Sequence, residues 1–132
     1  MSKTPTQRTL DALRKQGLAA DIAERYLAHA RRPDGKKGIH KDLFGVIDVV
    51  VLDPARGIGG VQTTGNDFAG HMRKMTGPGA ANCVKWLSCP GAWLELWAWR
   101  KVVKTRGSKV RVYRPRVHVF KITDFACYDP TK

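Results

Sequence analysis

Asp48 interrupts the apolar run Gly45-Val46-Ile47-Asp48-Val49-Val50-Val51-Leu52. A carboxylate among β-branched residues is costly unless it is paired or faces a cation. If the run is a strand, Asp48 shares a face with Val46 and Val50. A second short strand is expected over residues 59–64, with Gln62 and Thr64 on one face and Val61 and Thr63 on the other. Should the Asp48 and Gln62 faces coincide across the short connection, Asp48, Gln62 and Thr64 cluster at one end of a sheet. Carboxylate, amide carbonyl and backbone carbonyl are hard oxygen ligands of the kind Mg²⁺ takes. The plainer alternative is a buried Asp that bonds backbone amides or caps a helix.

The elements that must position these residues follow from pattern and punctuation. Residues 1–5 read as a loose terminus. Leu10 and Leu13 give a helix over about 6–16, stopped by Gly17. Leu18, Ile22 and Tyr26 recur every four residues, which predicts a second helix over about 18–31; a short strand around Ile22 is the alternative. Pro33, Gly35 and Gly38 mark residues 32–40 as an exposed loop. Residues 44–52 form a buried strand, 54–57 a turn, and 59–64 the next strand. Asn66 is the expected N-cap of a helix bearing Phe68, Met72 and Met75 on one face and ending at Gly77. A further helix spans about 80–88. Residues 93–99 and 110–122 are strands, joined through a hairpin at Arg106-Gly107-Ser108. The strand–helix–strand step through residues 59–99 requires a right-handed crossover and hence a parallel pair. One α/β domain over 1–132 with a mixed sheet follows, carrying residues 100–122 as an appended basic hairpin.

Charge narrows the partner. The 132 residues hold 24 Lys+Arg against 11 Asp+Glu, a formal charge of +13. Such an excess opposes compaction and favours a polyanion, with nucleic acid the default. Its distribution is uneven. Arg100, Lys101, Lys104, Arg106, Lys109, Arg111, Arg114, Arg116 and Lys121 lie in a segment with no acid. Arg31, Arg32, Lys36, Lys37 and Lys41 form a second cluster. Clustering of one sign suits a phosphate footprint, and the alternation in 100–121 disfavours a membrane-surface helix. With 42% hydrophobic residues and four Trp the chain is not of the disordered class. Residues 1–30 hold no leader-type apolar stretch, and no run approaches the ~20 residues of a membrane span. Cys83, Cys89 and Cys127 lack CxxC spacing, so buried thiols are expected. His29, His40, His71 and His118 stand at no metal-ligand spacing; His71 lies one turn from Lys74 and could transfer a proton.

The segments Asp42-Leu43-Phe44-Gly45-Val46-Ile47-Asp48 and Val61-Gln62-Thr63-Thr64 resemble those of small phage and bacterial proteins of the PD-(D/E)XK nuclease superfamily, some of them Holliday-junction-resolvase-like or restriction-like. The resemblance covers about residues 8–103. It implies a restriction-endonuclease-like core, a mixed central sheet flanked by helices. It also implies metal-dependent hydrolysis of phosphodiester bonds in DNA, duplex or branched. Mg²⁺ (or Mn²⁺) would be held by Asp48, the Gln62 side-chain carbonyl and the Thr63 backbone carbonyl, with Glu24 as the acid such proteins often contribute from the first helix. Thr64 stands where the superfamily normally has Lys; Lys74, with Arg73 beside it, is the candidate replacement. Glu24 would otherwise be a surface residue paired with Arg25 or Arg31. Glu95, the second Glu of the chain, could approach the site but is better suited to an edge or exposed position.

Under this reading the basic hairpin tracks the DNA backbone. Tyr113 and the Trp residues could stack on exposed bases, though Trp in an alternating strand more commonly builds a core. Two other functions compete: a catalytically impaired nucleic-acid-binding module on the same fold, and a phage-encoded inhibitor using a Trp-rich face as its interface. A homodimer and a cytoplasmic location in a bacterial or phage-infected cell are the remaining expectations, with no membrane partner.

Overall fold

The computed structural model describes residues 3–126. Helix α1 (Pro5–Lys15) begins where the Thr4 hydroxyl accepts the Gln7 amide and Pro5 occupies the first turn. Lys3 pairs with Asp11 at 2.6 Å on the surface of α1. After Gly17, which takes φ 85°, come β1 (Ala19–Ile22), β2 (Arg25–Arg31) and β3 (Lys37–Lys41). The helix expected over 18–31 is absent, and around Ile22 the alternative of a short strand holds. Ala19–Ile22 is instead an edge strand antiparallel to β4 (Val49–Asp53), and Arg25–Arg31 pairs with β3 in a separate two-stranded ribbon. The four-residue spacing of Leu18, Ile22 and Tyr26 is therefore no helical face: Ile22 and Tyr26 are both exposed, on different elements. The expected loop 32–40 shrinks to the turn of that ribbon.

The strand expected over 44–52 also begins later. Phe44 and Gly45 adopt positive φ (55° and 75°), and the Leu43 amide donates to the Ile47 carbonyl at 2.9 Å. Residues 42–48 thus form a tight turn that delivers the chain into β4 at Val49, and Asp48 precedes the strand. Strand β5 (Gly57–Thr64) returns antiparallel to β4. Helix α2 (Phe68–Thr76) is capped by Asp67, which accepts the Gly70 amide at 3.0 Å, not by Asn66. Helix α3 (Ala80–Ser88) leads to β6 (Trp93–Val103), parallel to β5, and β7 (Arg111–Val119) folds back antiparallel. The strand expected over 110–122 is this β7; Ile122–Phe125 is a 3-10 turn.

The result is a five-stranded mixed sheet, order β1-β4-β5-β6-β7, with helices on both faces. On one face Leu10 and Leu13 of α1 pack against Val49, Val51, Val61 and Trp97. On the other, Met75 and Cys83 pack against Ile47, Leu94, Leu96 and Phe120. Trp93, Trp97 and Trp99 are all buried in the α1 core. These three present neither a stacking platform for bases nor an exposed interface, which corrects both expectations for the Trp-rich strand, whereas Trp86 of α3 is half-buried; Tyr113 remains exposed, under the Arg8 guanidinium at 3.5 Å. Gly59 packs so closely on the Trp93 ring that any Cβ there would overlap it. Among the described residues no helix is long and apolar enough to cross a membrane.

Candidate metal centre

The turn 42–48 carries an acid at each end. Its closure, with the Gly45 amide on the Asp42 carbonyl at 3.0 Å, brings Asp42 and Asp48 into one site. The backbone of Asp48 is fixed between two strands: its N–H donates to the Val61 carbonyl at 2.9 Å, and its C=O accepts the Ala23 amide at 2.8 Å. That anchoring aims the side chain at β5. Asp48 Oδ2 accepts from the Thr63 N–H at 2.8 Å, the Thr63 hydroxyl at 3.2 Å, and the Gln62 amide group. Asp48 and Gln62 therefore do share a face, and both are buried.

Lys74, from α2, reaches the same place. Its ammonium donates to Asp42 Oδ2 at 3.0 Å and to Gln62 Oε1 at 3.3 Å. Glu24 arrives from the connection between β1 and β2, not from a helix, and its carboxylate lies 2.8 Å from His40 Nδ1. Its partner is thus His40 and not Arg25 or Arg31. Oxygens of Glu24, Asp42 and Asp48 lie within 4.8 Å of one another. The cavity they share measures about 380 Å³, and Thr6, Thr64 and His71 complete its wall.

The electrostatics of the acid pair follow from this packing. Burial, then a hydrogen bond to Asp42, pushes the Asp48 carboxyl up to about 8 despite the opposing Thr63 N–H. For Asp42, burial also acts upward, but donation from Asp48, Lys74 and Gln62 outweighs it and holds the carboxyl below its usual range. Two carboxyl groups this close behave as a dyad sharing one proton. Three converging carboxyl groups, with one proton and one ammonium among them, can hold a metal ion: a hard divalent cation would take the place of the proton and satisfy the oxygens at once.

Of the residues that the sequence singled out around Asp48, Gln62, Thr63, Thr64, Lys74 and Glu24 line one cavity with it, whereas Arg73 does not. Two arrive in a different role. Thr63 turns its N–H and hydroxyl to Asp48, and Gln62 turns its amide group to Asp48 and its carbonyl to Lys74; both support the acids as donors. Asp42 is the candidate ligand that the sequence reading does not single out. Its one sequence signal is Gly45 between the two acids, a residue able to take the positive φ that closes the turn. Glu95 is neither exposed nor near the cavity. It is buried on the α1 face, where it accepts from Arg56 at 2.8 Å and from Trp97 Nε1 at 2.9 Å. Of the thiols, Cys83 is buried and pushed up to about 12 by burial, whereas Cys89 is exposed, against expectation; Cys127 lies outside the described residues.

Arg100, Lys101, Lys104, Arg106, Lys109, Arg111, Arg114 and Arg116 are all exposed, on the distal half of β6, on β7 and on the loop between them. Arg116 stacks on the Phe68 ring at 3.7 Å, beside the first turn of α2. No protein-family model, curated protein or solved structure matches this chain.

Proposed function

We propose that the protein is a metal-dependent endonuclease acting on DNA, built on a restriction-endonuclease-like core. The observation that carries this reading is the convergence of Asp48, Gln62, Asp42, Glu24 and Lys74 in one solvent-open cavity of a strongly basic protein. The order of elements agrees with it: a helix, three antiparallel strands β1, β4 and β5, a helical crossover, and a parallel fourth strand β6. The β2–β3 ribbon is then an insertion between the first and second core strands.

The chemistry proposed for each residue follows from its contacts. Asp48, Asp42 and Glu24 supply oxygens to Mg²⁺ or Mn²⁺, which when bound offsets charge on the phosphodiester under attack. Gln62 and Thr63 hold Asp48 in place by donating to it. Lys74 stands in for the Lys that position 64 lacks. Its ammonium, held by Asp42 and Gln62 Oε1 at the cavity wall, would orient a phosphate oxygen or an attacking water there. His71, on the cavity wall, is available for proton transfer.

The deciding experiment incubates wild type and Asp48→Ala with duplex, forked, four-way and single-stranded DNA in Mg²⁺ and in Mn²⁺. Cleavage by wild type and none by Asp48→Ala is the expected result. A second reading, a binding module without hydrolysis, is favoured by the ion pair that occupies Lys74 with Asp42; tight DNA binding with no cleavage in either metal would establish it.

A further inference from the structure

Strand register shows that two basic β-arms leave the sheet at the same end. Thr64, the last residue of β5, pairs with Ala98, yet β6 runs on to Val103 with β7 alongside it. That distal hairpin therefore extends beyond the end of the sheet where the acidic cavity opens, by roughly 16 Å for five residues. On the other side, β1 ends at Ile22 opposite Val49, and Ala23 bonds Asp48. The β2–β3 ribbon departs immediately after, also at the cavity end. Its two roots are Glu24 and Asp42, both members of the acidic cluster.

Nothing in the core uses the ribbon. Nearly all its side chains are exposed on both faces. An isolated two-stranded ribbon is marginal in water, and this ribbon draws no support from the core. Its charge is one-sided: Arg25, Arg31, Arg32, Lys36, Lys37 and Lys41 against Asp34 alone. With β4 and β5 between them, the two arms stand about 14 Å apart at their roots, taking ~4.8 Å per strand. This is close to the ~12 Å width of a B-form major groove, and unlike the deep, narrow groove of A-form RNA. A single-strand site would instead need free aromatic platforms; Tyr26 in the ribbon lies across Gly38 and against His40 at 4.9 Å, and Tyr113 in the hairpin has the Arg8 guanidinium on its ring at 3.5 Å.

We infer that the β2–β3 ribbon and the distal β6–β7 hairpin are two prongs that grip duplex DNA by its phosphates, with the acidic cavity between them. The inference rests on the nucleic-acid half of the function proposed above and adds the ribbon as a second, separate grip.

Binding of the full-length protein to a labelled DNA duplex, followed by anisotropy in EDTA across a range of salt, tests it without requiring cleavage. One variant carries Arg31→Gln, Arg32→Gln, Lys36→Gln and Lys37→Gln; a second carries Arg106→Gln, Lys109→Gln, Arg111→Gln and Arg114→Gln; a control carries Lys15→Gln and Lys85→Gln. Each prong variant should flatten the dependence of log affinity on log salt by about 2 to 3, at ~0.9 per lost phosphate contact, with the control unchanged. Melting temperatures should stay at the wild-type value, because the substituted side chains are exposed. A ribbon variant with the wild-type slope overturns the inference, as does equal affinity for single strands or RNA duplex. Absence of any DNA binding by wild type removes it together with the proposed function. Slopes that fall as expected in a protein that never cleaves leave the prongs standing and reject only hydrolysis.

Discussion

Replacing Asp48 with asparagine probes the shared proton directly. The Asp48 carboxyl titrates at about 8 in the folded protein and near 3.8 when unfolded. Between those values the native state keeps a proton that the unfolded chain has released. Stability from this group is therefore fully present below about pH 4 and is lost as pH rises toward about 8. For one proton the slope is ~1.4 kcal/mol per pH unit, so about 3 kcal/mol disappears between roughly pH 5 and pH 7. Asp42 has the opposite sign: its lowered value gives stability that is present above its unfolded pKa and lost only at more acid pH, outside this window. The Asp48→Asn side chain mimics the protonated acid. Its carbonyl can accept from the Thr63 N–H and its amide can donate to Asp42, so the fold should survive while the slope vanishes. Urea unfolding of both proteins in EDTA at several pH values gives the difference in stability, from which unrelated titrations cancel. The Asp48→Asn variant should gain about 3 kcal/mol on wild type across that interval. Parallel curves would refute the buried dyad and, with it, the displacement of its proton by a cation.

Lys74→Ala should reduce cleavage by about 10² to 10³ while leaving Mn²⁺ affinity unchanged or higher, because the ammonium competes for Asp42; calorimetry and a gel assay read the two separately, and undiminished cleavage excludes Lys74. Gly59→Ala should cost about 1 to 3 kcal/mol in urea unfolding, since the added Cβ overlaps a Trp93 ring already fixed by its bond to the Gly57 carbonyl. In a Cys127→Ser background, a maleimide should label Cys89 at once and Cys83 only on unfolding; simultaneous labelling would contradict the core packing. Light scattering should show a homodimer, for which Val117 and Val119, exposed on the edge strand β7, supply apolar surface. A monomer at all concentrations removes that idea.

The candidate site was more legible in the sequence than the elements that carry it. A carboxylate among valines states its own anomaly, because burial without a partner is too costly to be accidental. Period two along a short strand placed Gln62, and the register fixed by the three-residue connection 54–56 did the rest. The helices and the parallel pair were readable for the same reason: α1, α2, α3 and β6 take their type from local periodicity and local stops. What failed was the stretch 18–48, where local pattern does not decide. Ala19–Ile22 is a strand because β4 offers it an edge, and Arg25–Arg31 is a strand because Lys37–Lys41 folds back on it. Neither fact is visible in a four-residue spacing that fits a helix equally well.

That failure has a physical connection to Asp42, the candidate ligand that the sequence reading does not single out. Read as a helix and a loop, residues 18–41 place Glu24 and Asp42 on unrelated elements. Read as a ribbon, they become neighbours, because the two ends of an antiparallel pair must lie side by side: Arg25 is opposite Lys41, and the flanking acids follow. Glu24 and Asp42 are therefore held together by backbone pairing in an arm that the core does not stabilise. A cation bound between them would tie the roots of the ribbon to each other and to Asp48, so occupancy of the site and placement of the arm become one equilibrium. Hydrogen exchange of the β2–β3 amides should accordingly slow when Mn²⁺ is added to wild type. It should not slow in Glu24→Gln with Asp42→Asn, and equal exchange in the presence and absence of the metal would break the link between centre and ribbon.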